Sequence, residues 1–274
     1  MKRVLFGLGL AGFASLSLGQ AIITDGTSSF GWTSQTALSA AANRTGTDGG
    51  NTNTFISSGS ADQAFQQWWW YRVNGVNTRE FALSTQANAP VVSGNNMVLT
   101  YREPEGFTSR LEYTINNIGG RARVTGTNFV KNEGNTTLDF DFFNYIDYDM
   151  NGTAAGDLAS LQFPNPVLRM NITDPAGTLA AEWRVLDADA FQIGAFAGVR
   201  NLLTNSTLDD LNNTGDPFGP GDFSAAVQWR FTLAPGEQIA LQTTQFLTTP
   251  VPEPATMAAL GLGILAIARR RRKS

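Results

Sequence analysis

Residues 138–150, LDFDFFNYIDYDM, alternate with a period of two. One face carries Leu138, Phe140, Phe142, Asn144, Ile146, Tyr148 and Met150, and the other carries Asp139, Asp141, Phe143, Tyr145, Asp147 and Asp149. Only an extended chain puts alternate side chains on opposite faces, so this run predicts the core strand of the fold. At about 3.3 Å per residue it would reach about 43 Å, so a bend or bulge is expected near Phe143-Asn144.

The same period recurs in Met97–Arg102, Arg110–Ile115, Arg121–Glu133 and Val227–Leu233. Phe65–Val73 (FQQWWWYRV) is strand-prone through its aromatic residues, with Thr78–Leu83 as its hairpin partner. Further strands are expected at 167–172, 178–186 and 191–199. Pro235-Gly236 reads as the turn of a hairpin joining Val227–Leu233 to Gln238–Leu247. The helical candidate is Asn201–Asn212, capped at Ser206 or Thr207. Ten to twelve strands with little helix predict an all-β protein: a β-sandwich, jelly-roll-like or a large two-sheet antiparallel one.

Both ends read as export devices. Lys2 and Arg3 precede an apolar run from Val4 to Leu18, and Gly19 and Ala21 suit a cleavage site, so residues 1–21 are expected to be a signal peptide. Residues 251–274 join Pro252-Glu253-Pro254, an uncharged stretch from Ala255 to Ala268, and five basic residues, Arg269 to Lys273. The two prolines stop a helix from running through, and the basic run suits an anionic cytoplasmic lipid surface. Fourteen residues of helix reach about 21 Å against a hydrocarbon core of about 30 Å. With snorkelling arginines this is a short, marginal transmembrane helix.

This tail resembles the PEP-CTERM sorting signal of Gram-negative bacteria. The resemblance covers residues 251–274 and implies that an exosortase-type processing enzyme recognises Pro252, Glu253 and Pro254. It further implies transient anchoring in the inner membrane during export, then release to the cell surface or beyond, in hosts that make exopolysaccharide.

Residues 22–250 remain as one extracytoplasmic domain. They hold 12 basic and 22 acidic residues, so the net charge is 12 − 22 = −10. An acidic surface without a basic patch argues against a nucleic-acid partner. The chain has no cysteine and no histidine, which excludes thiol nucleophiles, His-based triads, and zinc, haem and iron–sulfur sites built on those ligands. Carboxylate chemistry and hard-cation binding stay open.

The richest constellation is Asp147-Tyr-Asp149-Met-Asn151-Gly152, with Asp157 following. Oxygen ligands at alternate positions and a glycine at the sixth begin an EF-hand loop, but its twelfth position is Leu158 instead of glutamate. Asp147, Asp149, Asn151 and Asp157 are therefore candidate ligands of a looser calcium site, set against a plain Asn-Gly turn with solvated aspartates. On the tryptophan strand, Trp69, Tyr71 and Arg72 are candidates for carbohydrate contact if one face is exposed. A strand buried on both faces is the alternative.

The leading expectation is a non-catalytic cell-surface or extracellular-matrix protein associated with polysaccharide. A carbohydrate-active enzyme using paired carboxylates, from among Asp139, Asp141, Asp147, Glu112 and Glu182, is one alternative. Within it, Tyr145 or Tyr148 with Arg123 or Arg184 would serve a lyase. A self-assembling structural subunit joined through sheet edges is the other.

Overall fold

A computed structural model of the chain describes residues 21–32, 44, 53–56, 61–162 and 166–248. Seventeen strands and one helix are present among them: β1 (Ala21–Asp25), β2 (Ser28–Trp32), β3 (Asn53–Ile56), β4 (Ala64–Val73), β5 (Phe81–Ala82), β6 (Val91–Ser93), β7 (Asn96–Glu103), β8 (Phe107–Ile118), β9 (Arg121–Asn132), β10 (Leu138–Tyr148), β11 (Asp157–Gln162), β12 (Val167–Thr173), β13 (Ala180–Leu186), β14 (Ala190–Ala195), α1 (Phe196–Thr204), β15 (Phe218–Gly221), β16 (Phe223–Leu233) and β17 (Gln238–Thr248).

The strands form three sheets where two were expected. A nine-stranded sheet runs β15-β11-β12-β13-β17-β9-β8-β7-β6, a five-stranded sheet runs β14-β16-β10-β4-β5, and a third holds β1-β2-β3. All named strand pairs are antiparallel. The two-sheet or jelly-roll sandwich is thus corrected to a multi-sheet fold.

The expected β16–β17 hairpin does not form. Pro235-Gly236 instead carries the chain from the five-stranded sheet to the nine-stranded one, because β16 pairs with β10 and β14 while β17 pairs with β13 and β9. β10 is central as predicted, flanked by β4 and β16, and its irregularity falls at Asp147/Tyr148 instead of Phe143-Asn144.

The two larger sheets meet through aromatic side chains. Trp69 donates from Nε1 to the Tyr113 hydroxyl at 2.9 Å and stacks on Trp229 at 5.6 Å. Tyr71 meets the edge of Phe107 at 4.7 Å, and Phe107 that of Phe140 at 5.1 Å. The third sheet packs in through Phe30 on Tyr113 and Trp32 on Trp68. Rings this large bury area that a fold without disulfides needs for stability.

The outer face of the five-stranded sheet is covered by α1 and the segment after it. Val199, Leu203 and Leu211 are buried there. The helix begins five residues before the predicted segment because Val199 and Leu203, four apart, supply its apolar face. Arg72 anchors the segment. Its guanidinium bonds Asp141 at 2.9 Å, Glu80 at 2.7 Å, the Asp209 carbonyl at 2.7 Å and the Asp210 carboxylate.

Among the described residues no helix is long and apolar enough to cross a membrane. The expected transmembrane helix, with the inner-membrane anchoring built on it, therefore finds no support among the described residues. Residues 1–20 and 249–274, on which the signal-peptide and tail readings fall, lie outside the described residues.

Candidate functional site: an acidic cluster between the sheets

Asp147 sits near the end of β10, in register with Ser224 of β16 and Gln66 of β4, so strands flank it on both sides. It is 1% exposed. The chain then leaves the five-stranded sheet through Asp149 and a 3-10 turn, Met150–Gly152. Asn151 (φ 64°) and Gly152 (φ 71°) both adopt the left-handed conformation that Asn and Gly tolerate best. This reversal sends the chain back to Asp157, the first residue of β11 in the nine-stranded sheet.

Asp157 pairs in register with Gly221, which places Asp222, between β15 and β16, next to the cluster. One carboxylate oxygen from each of Asp147, Asp149 and Asp222 lies within 4.8 Å of the others, a ligand-like geometry able to coordinate a metal. Asp149 and Asp222 are half-buried.

Partners are few. The Tyr145 hydroxyl donates to Asp147 Oδ2 at 3.3 Å, while Asp147 Oδ1 has no hydrogen-bond partner among the described residues. Asp157 is fully buried; its Oδ2 accepts a long bond from the Met150 N–H and its Oδ1 accepts none. No ion pair among the described residues reaches Asp147, Asp149, Asp157 or Asp222.

Ionising several carboxyls this close, in poor contact with water, is costly. Burial, then the neighbouring charges of Asp149 and Asp222, pushes Asp147 up to about 8. Burial likewise raises Asp157 to about 7. Asp149 is raised by burial and by Asp222 and Asp62, and Asp222 by burial.

Of the candidate ligands, Asp147 and Asp149 thus meet. Asp157 lies close enough for its charge to act on Asp147. Asn151 is exposed and gives its backbone N–H to Gln63 Oε1. Asp222 escaped notice, since nothing in the sequence links the turn-rich 216–222 stretch to residue 147.

The aromatic candidates are placed differently. Trp69 and Tyr71 are 0% exposed and Arg72 is 6% exposed, so none of the three is open to a stacking sugar. The proposed lyase groups are kept apart. Tyr145 and Tyr148 belong to the five-stranded sheet, whereas Arg123 and Arg184 surround Phe246 in the nine-stranded one. The non-catalytic, polysaccharide-associated reading rested on an exposed aromatic face. It is corrected by a buried one and by a cluster of close-set carboxylates.

The chain carries a PEP-CTERM protein-sorting motif at residues 250–273. It includes Pro252, Glu253 and Pro254 and implies association with an exosortase-type sorting system. No curated protein matches the chain. Among solved structures it is similar to a polysaccharide lyase (11% identity, TM-score 0.48, covering 83% of this chain and 33% of that one). It is also similar to a bacterial glucoamylase complexed with acarbose (9%, TM-score 0.49, 81% and 33%). A third is a galactose mutarotase-like protein from Lactobacillus casei ATCC 334 (10%, TM-score 0.45, 84% and 100%). The chain spans about a third of the length of the first two. Likenesses of this degree carry no inference about its activity.

Proposed function

We propose that the protein is an exported carbohydrate-active enzyme that uses paired carboxylates, with Asp149 and Asp222 as the working pair. The observation that supports this is the approach of carboxylate oxygens within 4.8 Å in a half-buried setting, with no cationic side chain paired to them among the described residues. Retaining glycosidases hold two carboxyls about 5–5.5 Å apart. The raised Asp149 and Asp222 keep a proton within the pair at higher pH than a free carboxyl would.

The protonated member gives its proton to the glycosidic oxygen as that bond breaks. The ionised member bonds to the anomeric carbon, and water, deprotonated by the first carboxylate, then hydrolyses the ester. Asp147, buried beneath, is a positioning residue that holds the pair's proton balance. The sorting motif supports a polysaccharide substrate through its resemblance to the PEP-CTERM signal, which implies a host that makes exopolysaccharide.

The test is release of reducing ends from a panel of polysaccharides by the full-length protein in chelator. Activity should fall by about 10³-fold or more in Asp149→Asn or Asp222→Asn. Undiminished activity in both variants would reject the assignment.

The unpartnered Oδ1 atoms of Asp147 and Asp157 favour a second reading. Asp147, Asp149 and Asp222, with Asp157 beside them, would hold calcium through an oxygen-only donor set suited to a hard cation. Cleavage that requires calcium would favour this reading over the acid–base pair, and cleavage that persists in chelator would favour the pair.

A further inference from the structure

The expectation that this acidic domain lacks a basic patch fails on the nine-stranded sheet. Its strand register puts Arg102 of β7, Arg110 of β8, Arg121, Arg123 and Lys131 of β9, Arg184 of β13 and Arg169 of β12 on one face. That face is the solvent side, because the alternate residues of the same strands are the buried ones. It holds seven of the twelve basic residues of segment 22–250. Against them stand Glu112, Glu182 and, in the following turn, Glu133, a balance of 7 − 3 = +4. The rest of the segment then carries −10 − 4 = −14. The patch is invisible in the linear sequence because five different strands supply it.

The charges are also held in place. Phe246 lies across from Arg123 and Glu182, and the guanidinium carbons of Arg121, Arg184 and Arg123 stand 4.5, 4.5 and 5.8 Å from its ring centroid. Arg110 sits over Phe129 at 4.6 Å. Arg169 and Arg184 face each other directly across β12 and β13, an unfavourable like-charge pair. Glu182 alone answers Arg121, Arg169 and Arg184. Three fixed cations sharing one carboxylate leave guanidinium edges free for outside anions.

We propose that this face binds an acidic polysaccharide, a chain bearing uronate carboxylates or sulfates, laid across β12, β13, β17, β9 and β8. At about 4.8 Å per strand the strip is about 19 Å long, enough for several successive anionic groups. The net charge of −14 on the rest of the segment opposes the dense charge of duplex DNA more than that of a thin, single-chain polyanion. The inference rests on the carbohydrate-active reading only in taking a polysaccharide as partner, and binding here needs no intact acidic cluster.

The test is binding of the full-length protein to immobilised polygalacturonate, dextran and a short DNA duplex. Polygalacturonate should bind, weaken as salt shortens the Debye length below about 10 Å, and be retained by Asp222→Asn. The triple variant Arg121→Gln, Arg123→Gln and Arg184→Gln should bind about tenfold more weakly. If the triple variant fails to fold, Arg123→Gln alone serves. It takes part in none of the Glu182 ion pairs and should still lose affinity. Equal binding of dextran, tighter binding of the duplex, or a folded variant with undiminished affinity would overturn the proposal.

Discussion

Replacing Asp147 by asparagine should remove a specific pH dependence from the stability of the protein. Asp147 is 1% exposed and its carboxyl is pushed up to about 8 from an ordinary 3.8, chiefly by burial. The folded state therefore keeps a proton that the unfolded chain releases. The stability this proton contributes is fully present below 3.8 and is lost as pH rises toward about 8. One proton held by the folded chain alone corresponds to roughly 1 kcal/mol of lost stability per pH unit. An asparagine of similar shape does not titrate, so the variant escapes that loss. Between pH 5 and pH 7 it should gain on the parent by roughly 2 kcal/mol, and near pH 4 the two should nearly coincide. The assay is urea unfolding at a series of pH values in chelator, where an unchanged m-value certifies that the same folded state is compared. A parent and a variant whose stabilities run parallel over this range would show that Asp147 titrates normally, and would refute the reasoning.

Other predictions concern packing and the cation. Arg72→Met strands the fully buried Glu80 carboxyl and should cost about 3–5 kcal/mol in urea unfolding, while the double variant with Glu80→Gln recovers part of it. No recovery would mean that the ion pair is not the source of the loss. Trp69→Ala removes a ring packed on Trp229 and Phe142, with a predicted cost of about 3–5 kcal/mol; a loss below about 1 kcal/mol would deny it a core role. Calcium, if it occupies the cluster, should raise the unfolding midpoint of the parent and leave that of Asp222→Asn nearly unchanged. Equal shifts in both would place the ion elsewhere.

Much of the fold was legible because period-two alternation is a local signal. β4, β7 to β10, β12, β13, β16 and β17 fall where alternation or aromatic residues put them. Which sheet a strand joins is not local. Pro235-Gly236 reads as a hairpin turn, yet the chain crosses there between sheets, since Val227 and Trp229 turn toward one core and Leu241 and Leu247 come in from the opposite sheet. Strand propensity likewise placed Trp69 and Tyr71 in a strand but could not say that Tyr113 and Phe107 of the nine-stranded sheet would bury them.

The acidic cluster was half legible. Asp147, Asp149 and Asp157 are close in sequence, whereas Asp222 arrives only because β15 pairs with β11. The basic face was hidden for the same reason, being assembled one residue at a time from strands far apart in the chain.

The most direct test of the carboxylate pair is the anomeric form of the first product released, followed by proton NMR as the full-length protein cleaves an acidic polysaccharide in chelator. Carboxylate oxygens within 4.8 Å leave no room for a water between nucleophile and sugar, so the account predicts retention of configuration. Inversion, which needs carboxyls about 6.5–9.5 Å apart, would contradict it.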